Sequence, residues 1–432
     1  MSNRIIAGID IGSTKISAVI AIVEGDSKPR VIGESSFPSS GIKKGEITGI
    51  DEAMNSIASA LSGAERMAGL TVSSVYVSLN GKHIISNNNR GVVAIADSEI
   101  NADDLFRSME QAKTVAIPPA REIIHLIPRE FIVDTQAGIK DPVGMTGTRL
   151  EVDAHIISAT STALHNLRKC IQSIGLRIDG EVFTGWAGAQ TVLTPTEKEL
   201  GVLLLDMGGG TTSVTTFEEG AVTYSTSVPF GGSNVTRDLA AGLRLSLDDA
   251  EKVKVSVNNL AKVKPEKDEK PESDSDKKSS KEESEKKRDI LDVSELDIEG
   301  VKTISQKLFN EIVEARIEEV FSLVRENILQ AGHEFKLPAG VVITGGSAEL
   351  PGITGIAKDV FGVPARVGYP RGLEGLIDDI SSPAYAATQG LIVYGLNDEG
   401  FSASKAKPMP GPKKEAGAVV GRVTGFLKNL LP

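Results

Sequence analysis

One pattern, repeated, constrains this chain more than any other feature. Residues 8–15 read GIDIGSTK, and residues 203–212 read LLLDMGGGTT. Each is an apolar strand-like run, then an aspartate, then a glycine turn bearing Ser or Thr, then a second β-rich run. A further glycine turn, VVITGGSAELPG at 341–352, also follows an apolar run and leads toward a helix. One such hairpin is weak evidence, since ordinary β-turns use the same residues. Turns of this kind spread along the whole chain predict two similar halves around one ligand.

The residue types indicate which ligand. Glycine lets backbone N–H groups converge on a concavity that suits phosphate oxygens. Gly12, Ser13, Thr14 and Lys15 supply such a turn first, and Gly208, Gly209, Gly210, Thr211 and Thr212 supply it again. Asp10 and Asp206 would repel phosphate on their own. They make sense if a hydrated divalent cation lies between carboxylate and phosphate. Neither turn is a G-x-x-x-x-G-K-[ST] loop or a G-x-G-x-x-G fingerprint.

Composition narrows the classes. The chain has 432 residues, enough for two to four domains, and 40% of them are hydrophobic. A net charge of -11 argues against nucleic acid as a partner, and 4% aromatics argues against a base-stacking platform. The single cysteine, Cys170, cannot form an internal disulfide, which fits a reducing compartment. No signal peptide is apparent, and no window approaches the roughly 20 apolar residues of a membrane span.

Along the chain, helices are expected at 51–68, 161–175, near 183–193, at 301–331 and within 383–396, and HIISNNNRGVVAIA at 83–96 reads as a strand pair. Residues 85–162 read as a β-α-β-β insertion, with Asn101 a helix N-cap and His125 a packed strand histidine. The stretch 262–290 carries about ten basic and ten acidic residues and almost nothing apolar, so disorder is expected there. At 417–432, Val419, Val420, Val423, Phe426, Leu427, Leu430 and Leu431 fall on one helical face, with Arg422 and Lys428 outside it. A cationic amphipathic helix behind a polar tether suits an anionic bilayer surface. Burial of each apolar side chain is worth about 1.5–3 kcal/mol. Ordering the segment costs about 1–2 kcal/mol per residue. One helix therefore binds weakly, and assembly of several chains would strengthen attachment by avidity.

The loop pattern resembles the actin-like ATPase superfamily, which includes actin, DnaK-type chaperones and sugar kinases. In that resemblance GIDIGSTK and LLLDMGGGTT are the two phosphate loops, and Gly345, Gly346 and Ser347 belong to the adenosine segment. GGSN at 231–234, with Gly231 and Gly232, fits the same second-half pattern, and DDAEKVK at 248–254 resembles the helix whose Glu and Lys reach the adenosine, here Glu251 and Lys254. The resemblance implies ATP and Mg2+ as cofactors, Asp10 and Asp206 as the catalytic and water-mediated metal-holding pair, and Lys15 and Thr211 on the phosphates. The position of a water-orienting acid is ambiguous between Glu181 and Val182, so at most slow hydrolysis is expected.

Within the superfamily, the insertion motifs HLIPREFIVD at 125–134 and GIKDPVGMTGTRLEVDAHIISA at 138–159 resemble the bacterial cell-division FtsA family from about residue 4 to 396, with the tail a further match. The expected fold is α/β and actin-like, with two duplicated ribonuclease-H-like halves and an inserted SHS2-like module in the first. The expected organisation is a first half at 1–84, resumed at 163–197 after the module at 85–162. A second half covers 198–231 and 310–380, and an outer subdomain at 232–309 contains the charged loop. A return helix at 381–396, a linker at 397–416 and the membrane helix at 417–432 complete it. The resemblance implies a protein that polymerises and holds the FtsZ ring at the cytoplasmic face of the cell membrane, at the division septum. Its implied partners are the FtsZ C-terminal peptide, other copies of itself and downstream division proteins. Arg316 and Glu319 match the family's docking pair in spacing. A pilus-assembly protein of the PilM family shares the insertion and is the alternative. A sugar kinase or phosphatase would need a further catalytic aspartate, and a chaperone would need a peptide-binding domain after the second half.

Overall fold

Each aspartate-bearing motif folds as an antiparallel hairpin at the centre of its own sheet. The computed structural model describes residues 4–25, 27–97, 99–114, 118–259, 289–333 and 336–398. The charged stretch at 262–288 and the expected membrane helix at 417–432 lie outside the described residues, as does nearly all of the expected linker.

The first half begins with strands β1 (Arg4–Ile11), β2 (Lys15–Val23) and β3 (Arg30–Pro38), a short hairpin of β4 (Ile42–Lys43) and β5 (Glu46–Ile47), helix α1 (Ile50–Ala68) and β6 (Ser74–Leu79). The inserted module follows as β7 (Ile85–Ala94), α2 (Ala102–Ala112), β8 (Arg121–Val133), β9 (Gln136–Ile139) and β10 (Arg149–Thr160). The first half then resumes with α3 (Ser161–Ser173), β11 (Arg177–Phe183), α4 (Thr184–Val192) and α5 (Pro195–Leu200). Its sheet has the order β11-β6-β1-β2-β3, with a short strand from the far end of the chain at its edge.

The second half runs through β12 (Val202–Met207), β13 (Thr212–Glu218), β14 (Ala221–Val228), α6 (Gly232–Leu243), α7 (Leu247–Ser256), β15 (Ile290–Asp292), β16 (Thr303–Ser305), α8 (Gln306–Gln330), β17 (Val341–Thr344), α9 (Ile353–Phe361) and β18 (Ala365–Val367). Its sheet order is β14-β13-β12-β17-β18. The chain then supplies β19 (Glu374–Gly375) to the edge of the first sheet beside β3, and returns as α10 (Ala386–Asn397).

The duplication holds at the level of register. β1 pairs antiparallel with β2, placing Asp10 opposite Ser17, and parallel with β6. β12 pairs antiparallel with β13, placing Asp206 opposite Ser213, and parallel with β17. β12 is buried at every position, as near-continuous Val-Leu-Leu-Leu requires for a strand covered on both faces. α1 forms because Ala53, Ile57, Ala60, Leu61 and Ala64 fall on one buried stripe and Asp51 and Glu52 favour its N-terminus; it stops where Gly69 takes φ 69°. α4 and α10 pack closely between the halves, and a Cβ on Gly390 would strike the backbone of Ala187.

Three readings of the sequence change. The stretch at 83–96 is not a strand pair: β7 is one strand, paired with β10 from Ile85 to Ala94. Gly91 within it is not a turn residue. Its missing Cβ lets α2 approach the strand, since a Cβ there would overlap the Ser108 carbonyl. The helix expected at 301–331 starts at Gln306, because Thr303–Ser305 first pairs with Ile290–Asp292 and Ser305 then caps the helix through the Leu308 N–H. The helix expected at 161–175 ends at Ser173, with Gly175 in the left-handed region at φ 85°. His125 is packed as expected: it is buried and its Nε2 accepts the Phe183 N–H at 2.9 Å.

Candidate functional site

The two glycine turns meet. A Cβ added to Gly210 would lie 2.6 Å from Ser13 Oγ, and one on Gly209 would overlap Thr14. Only glycine allows the second loop to lie this close to the first. The other segments singled out by sequence gather on the same spot. The Gly232 N–H donates to the Gly208 carbonyl at 2.9 Å, and the Ser347 N–H donates to the Met207 carbonyl at 3.0 Å. Gly345, at φ 87°, leaves room for Asp206, whose Oδ1 a Cβ there would overlap. Gly346 follows in the same turn. Lys254 on α7 reaches the start of α6, with Nζ 2.9 Å from Thr236 Oγ1, 3.3 Å from the Gly232 carbonyl and 2.6 Å from Glu251 Oε2. Thr212 is tied to the Phe230 carbonyl at 2.8 Å, which holds the end of β14 over the second loop.

The charges at the centre oppose one another. Asp206 is buried, and removal from water, followed by the nearby charge of Asp10, pushes its pKa up to about 8. Burial also raises Asp10, against the Ser78 hydroxyl and the Lys15 charge. A pair of carboxylates drawn together out of water calls for a counter-charge, and a hydrated divalent cation fits the donor set. Among the described residues no group of three or more His, Cys, Asp or Glu could hold a metal ion.

Two candidates are engaged differently from the expectation. Lys15 holds its ammonium 3.4 Å from the centroid of the Tyr385 ring, a cation–π contact. Glu181, the doubtful acid, gives both carboxylate oxygens to Arg168 at 2.6 and 2.7 Å, and Arg168 also binds Glu122. The helix face nearest Asp206 presents Gly188, where a Cβ would lie 3.8 Å from Oδ2. Gly188 itself therefore offers no group to orient a water.

Sequence reasoning missed the contacts that tie the loops to their surroundings. The Gly45 N–H, on the β4–β5 hairpin, donates to Ser13 Oγ at 2.9 Å. Asn80, just after β6, donates from Nδ2 to Thr211 Oγ1 at 2.8 Å. The signal was faint: one asparagine before a glycine, and a hairpin of two-residue strands.

Away from the cleft, Arg316 on α8 forms a two-pronged ion pair with Asp238 on α6 and contacts Glu319 at 2.6 Å. Arg316 is mostly covered, whereas the Glu319 side chain is 61% exposed.

Comparison with known proteins bears on this geometry. Residues 81–158 match the family described as the SHS2 domain inserted in FtsA, and residues 203–390 match the family described as cell division protein FtsA. The chain is 35% identical over 399 residues to the cell division protein FtsA of Pseudomonas aeruginosa, covering 92% of this chain and 91% of that one. The chain belongs to the FtsA family. A second FtsA, from Neisseria meningitidis serogroup B, is 33% identical over 427 residues, covering 99% of this chain and 98% of the other. Among solved structures, a PilM–PilN type IV pilus biogenesis complex superposes with a TM-score of 0.60 at 15% identity, over 90% of this chain and 98% of that one. That likeness concerns the fold alone. The fold is thus actin-like, with an SHS2 module in the first half, as FtsA membership implies. In this FtsA-family chain the module's strands β7 and β10 rest on β14 of the second half. Asn88 Nδ2 donates to the Thr223 carbonyl at 2.9 Å, and buried His155 lies 3.0 Å from Ser225 Oγ.

Proposed function

We propose that this cell-division protein binds Mg-ATP between its two halves, polymerises, and tethers the FtsZ ring to the membrane through residues 417–432. The observation that carries the nucleotide reading is the convergence of both glycine loops and both aspartates on one cleft. Thr211, Gly208 to Gly210 and Gly12 to Thr14 would hold the phosphates. Glu251, Lys254 and the turn at Gly345 to Ser347 would bound the adenosine. A bound magnesium ion would supply the counter-charge for Asp10 and Asp206 and neutralise phosphate oxygens. Hydrolysis is at most slow on this reading, because Glu181 is committed to Arg168 and the nearer helix position is Gly188.

The tether reading rests on the tail's apolar stripe and flanking cations and on FtsA membership. Among the described residues no helix is long and apolar enough to cross a membrane. The FtsZ C-terminal peptide would dock on α8 at Arg316 and Glu319, beside the outer subdomain's Asp238. The pilus alternative has fold likeness alone in its favour, whereas identity over nearly the full length favours division.

The test is recruitment of FtsZ to vesicles containing anionic lipid, by the full chain and by a 1–412 truncation, with and without Mg-ATP. The full chain pellets with vesicles and brings FtsZ down, more strongly with nucleotide. Equal pelleting of the truncation would end the tether reading.

A further inference from the structure

The inserted module is joined to the first half at two crossings of the chain, residues 80–84 and 160–161. One side chain ties the first crossing to the end of the strand before the second. Arg121, at the start of β8, donates from Nη2 to the His83 carbonyl at 2.6 Å and to the Ser158 carbonyl at 2.8 Å, and from Nε to Ser158 Oγ at 3.2 Å. The first crossing is also wedged against the phosphate loops. Asn80 at its root donates to Thr211 of the second loop, and its Oδ1 accepts the Gly81 N–H at 2.8 Å. A Cβ on Gly45 would lie 2.8 Å from the Asn80 backbone, so the hairpin that touches Ser13 of the first loop also packs on Asn80. Buried His83 then lies 3.7 Å from Glu46 of the same hairpin.

Besides the Lys140 Nζ bond to the Glu219 carbonyl at 2.8 Å, two attachments tie the module and its root to the strands of the second half. One is the sheet contact of Asn88, His155 and Ser86 with β14. The other is the Asn80–Thr211 hydrogen bond, which spans the cleft between the halves. Thr211 leads directly into β13, and β13 pairs with β14 along its length. A change in position of the second loop therefore reaches the module at both places.

We infer that Asn80 is a positioning residue that couples occupancy of the second phosphate loop to the seating of the inserted module on the second half. When phosphate draws the Thr211 hydroxyl inward, the Asn80 amide follows or releases it. The root of the module, tied by Arg121 from His83 to Ser158 of β10, turns with it. The ligand class is a nucleoside polyphosphate, so the inference rests on the nucleotide reading above. It adds a residue and a route that reading does not contain.

The experiment is hydrogen–deuterium exchange on the full chain, with and without Mg-ATP at saturation, alongside nucleotide affinity from a fluorescent ATP analogue. In the wild type, nucleotide changes exchange in 85–94 and 149–160 by about threefold or more. Asn80→Ala still binds nucleotide, with affinity lowered about three- to tenfold. At saturation its module strands no longer respond, while its melting temperature without nucleotide stays near wild type. Asn80→Leu keeps much of the side-chain volume, adds no charge and can neither donate to nor accept from Thr211. It is expected to lose the response likewise, and it serves if the alanine variant fails to fold. A module that responds normally in either saturated variant overturns the inference, as does a wild-type module that ignores bound nucleotide. Failure of the wild type to bind the analogue would instead sink the nucleotide reading.

Discussion

Asp206 lies buried within reach of the Asp10 charge, and between them burial and that charge hold the Asp206 carboxyl near pH 8 rather than its ordinary 3.8. Two strands from different sheets are needed to make the pair, and burial raises the pKa of both carboxyls. The ligand-free cleft therefore stores unfavourable electrostatics that a metal–nucleotide complex relieves.

Replacing Asp206 with Asn removes one of the opposed charges. Between about pH 4 and 8 the folded chain keeps a proton that the unfolded chain has released, so this pair makes stability fall as pH rises through that window. Below the window, wild type and Asp206→Asn should melt alike. Above it the variant should be the more stable, by about 1–3 kcal/mol. Magnesium-dependent nucleotide affinity should drop at the same time. Denaturant titrations across pH, with nucleotide binding measured in parallel, check both halves of the expectation.

The buried histidines act in the opposite direction. His125 and His155 are pushed down to about 3 by burial. The unfolded chain protonates them near their usual 6.5, so their contribution is present above that value and is lost as pH falls below it. His155→Gln, which can keep partners at Asn88 and Ser225, should flatten the acid limb of the stability curve. It should cost about 1–3 kcal/mol at neutral pH. An unchanged acid limb would mean that the module interface does not exclude the charged ring.

Steric fit at the loops predicts a sharp effect. Gly210→Val places branched carbons where Ser13 and the Lys44 N–H already stand. The cleft must open to accept it, and nucleotide affinity should fall by tenfold or more, about 1.4 kcal/mol or above. The corresponding change at Gly355, where a Cβ would meet nothing within 4 Å and the backbone is helical, should leave affinity unchanged. Isothermal titration with Mg-ATP distinguishes the two.

On α8, Arg316→Ala should abolish capture of an FtsZ C-terminal peptide while changing stability by only about 0–1 kcal/mol, because the ion pairs it loses are partly exposed. Glu319→Ala should weaken capture less. Asp238→Asn frees Arg316 from its internal partner and should strengthen capture. Fluorescence anisotropy of the labelled peptide ranks the three, and equal affinities would move the docking site elsewhere.

How much of this was legible before the structure differs by residue. The paired hairpins, the third turn and the inserted module could be read because strand-turn-strand patterning and glycine placement are local. Lys15 was read as a phosphate ligand from its neighbours in sequence, yet its ammonium sits on Tyr385, which the return segment delivers from far along the chain. Glu181 could not be placed, because its partner Arg168 lies on a preceding helix and only packing sets their distance. The stretch at 83–96 read as a strand pair and is one strand, with Gly91 the place where a helix touches it.

The sequence alone determined that there are two hairpins of one kind, that each carries an aspartate before a glycine loop, and that a separate module interrupts the first half. Those are consequences of short-range sterics and hydrophobic period. Only the tertiary structure decided that Asp10 and Asp206 share one cleft and that Asn80 joins the module's root to Thr211. It likewise settled that α10 returns to lock the first half. The reason is that pair distance across a cleft depends on how whole sheets pack, and no local pattern encodes that.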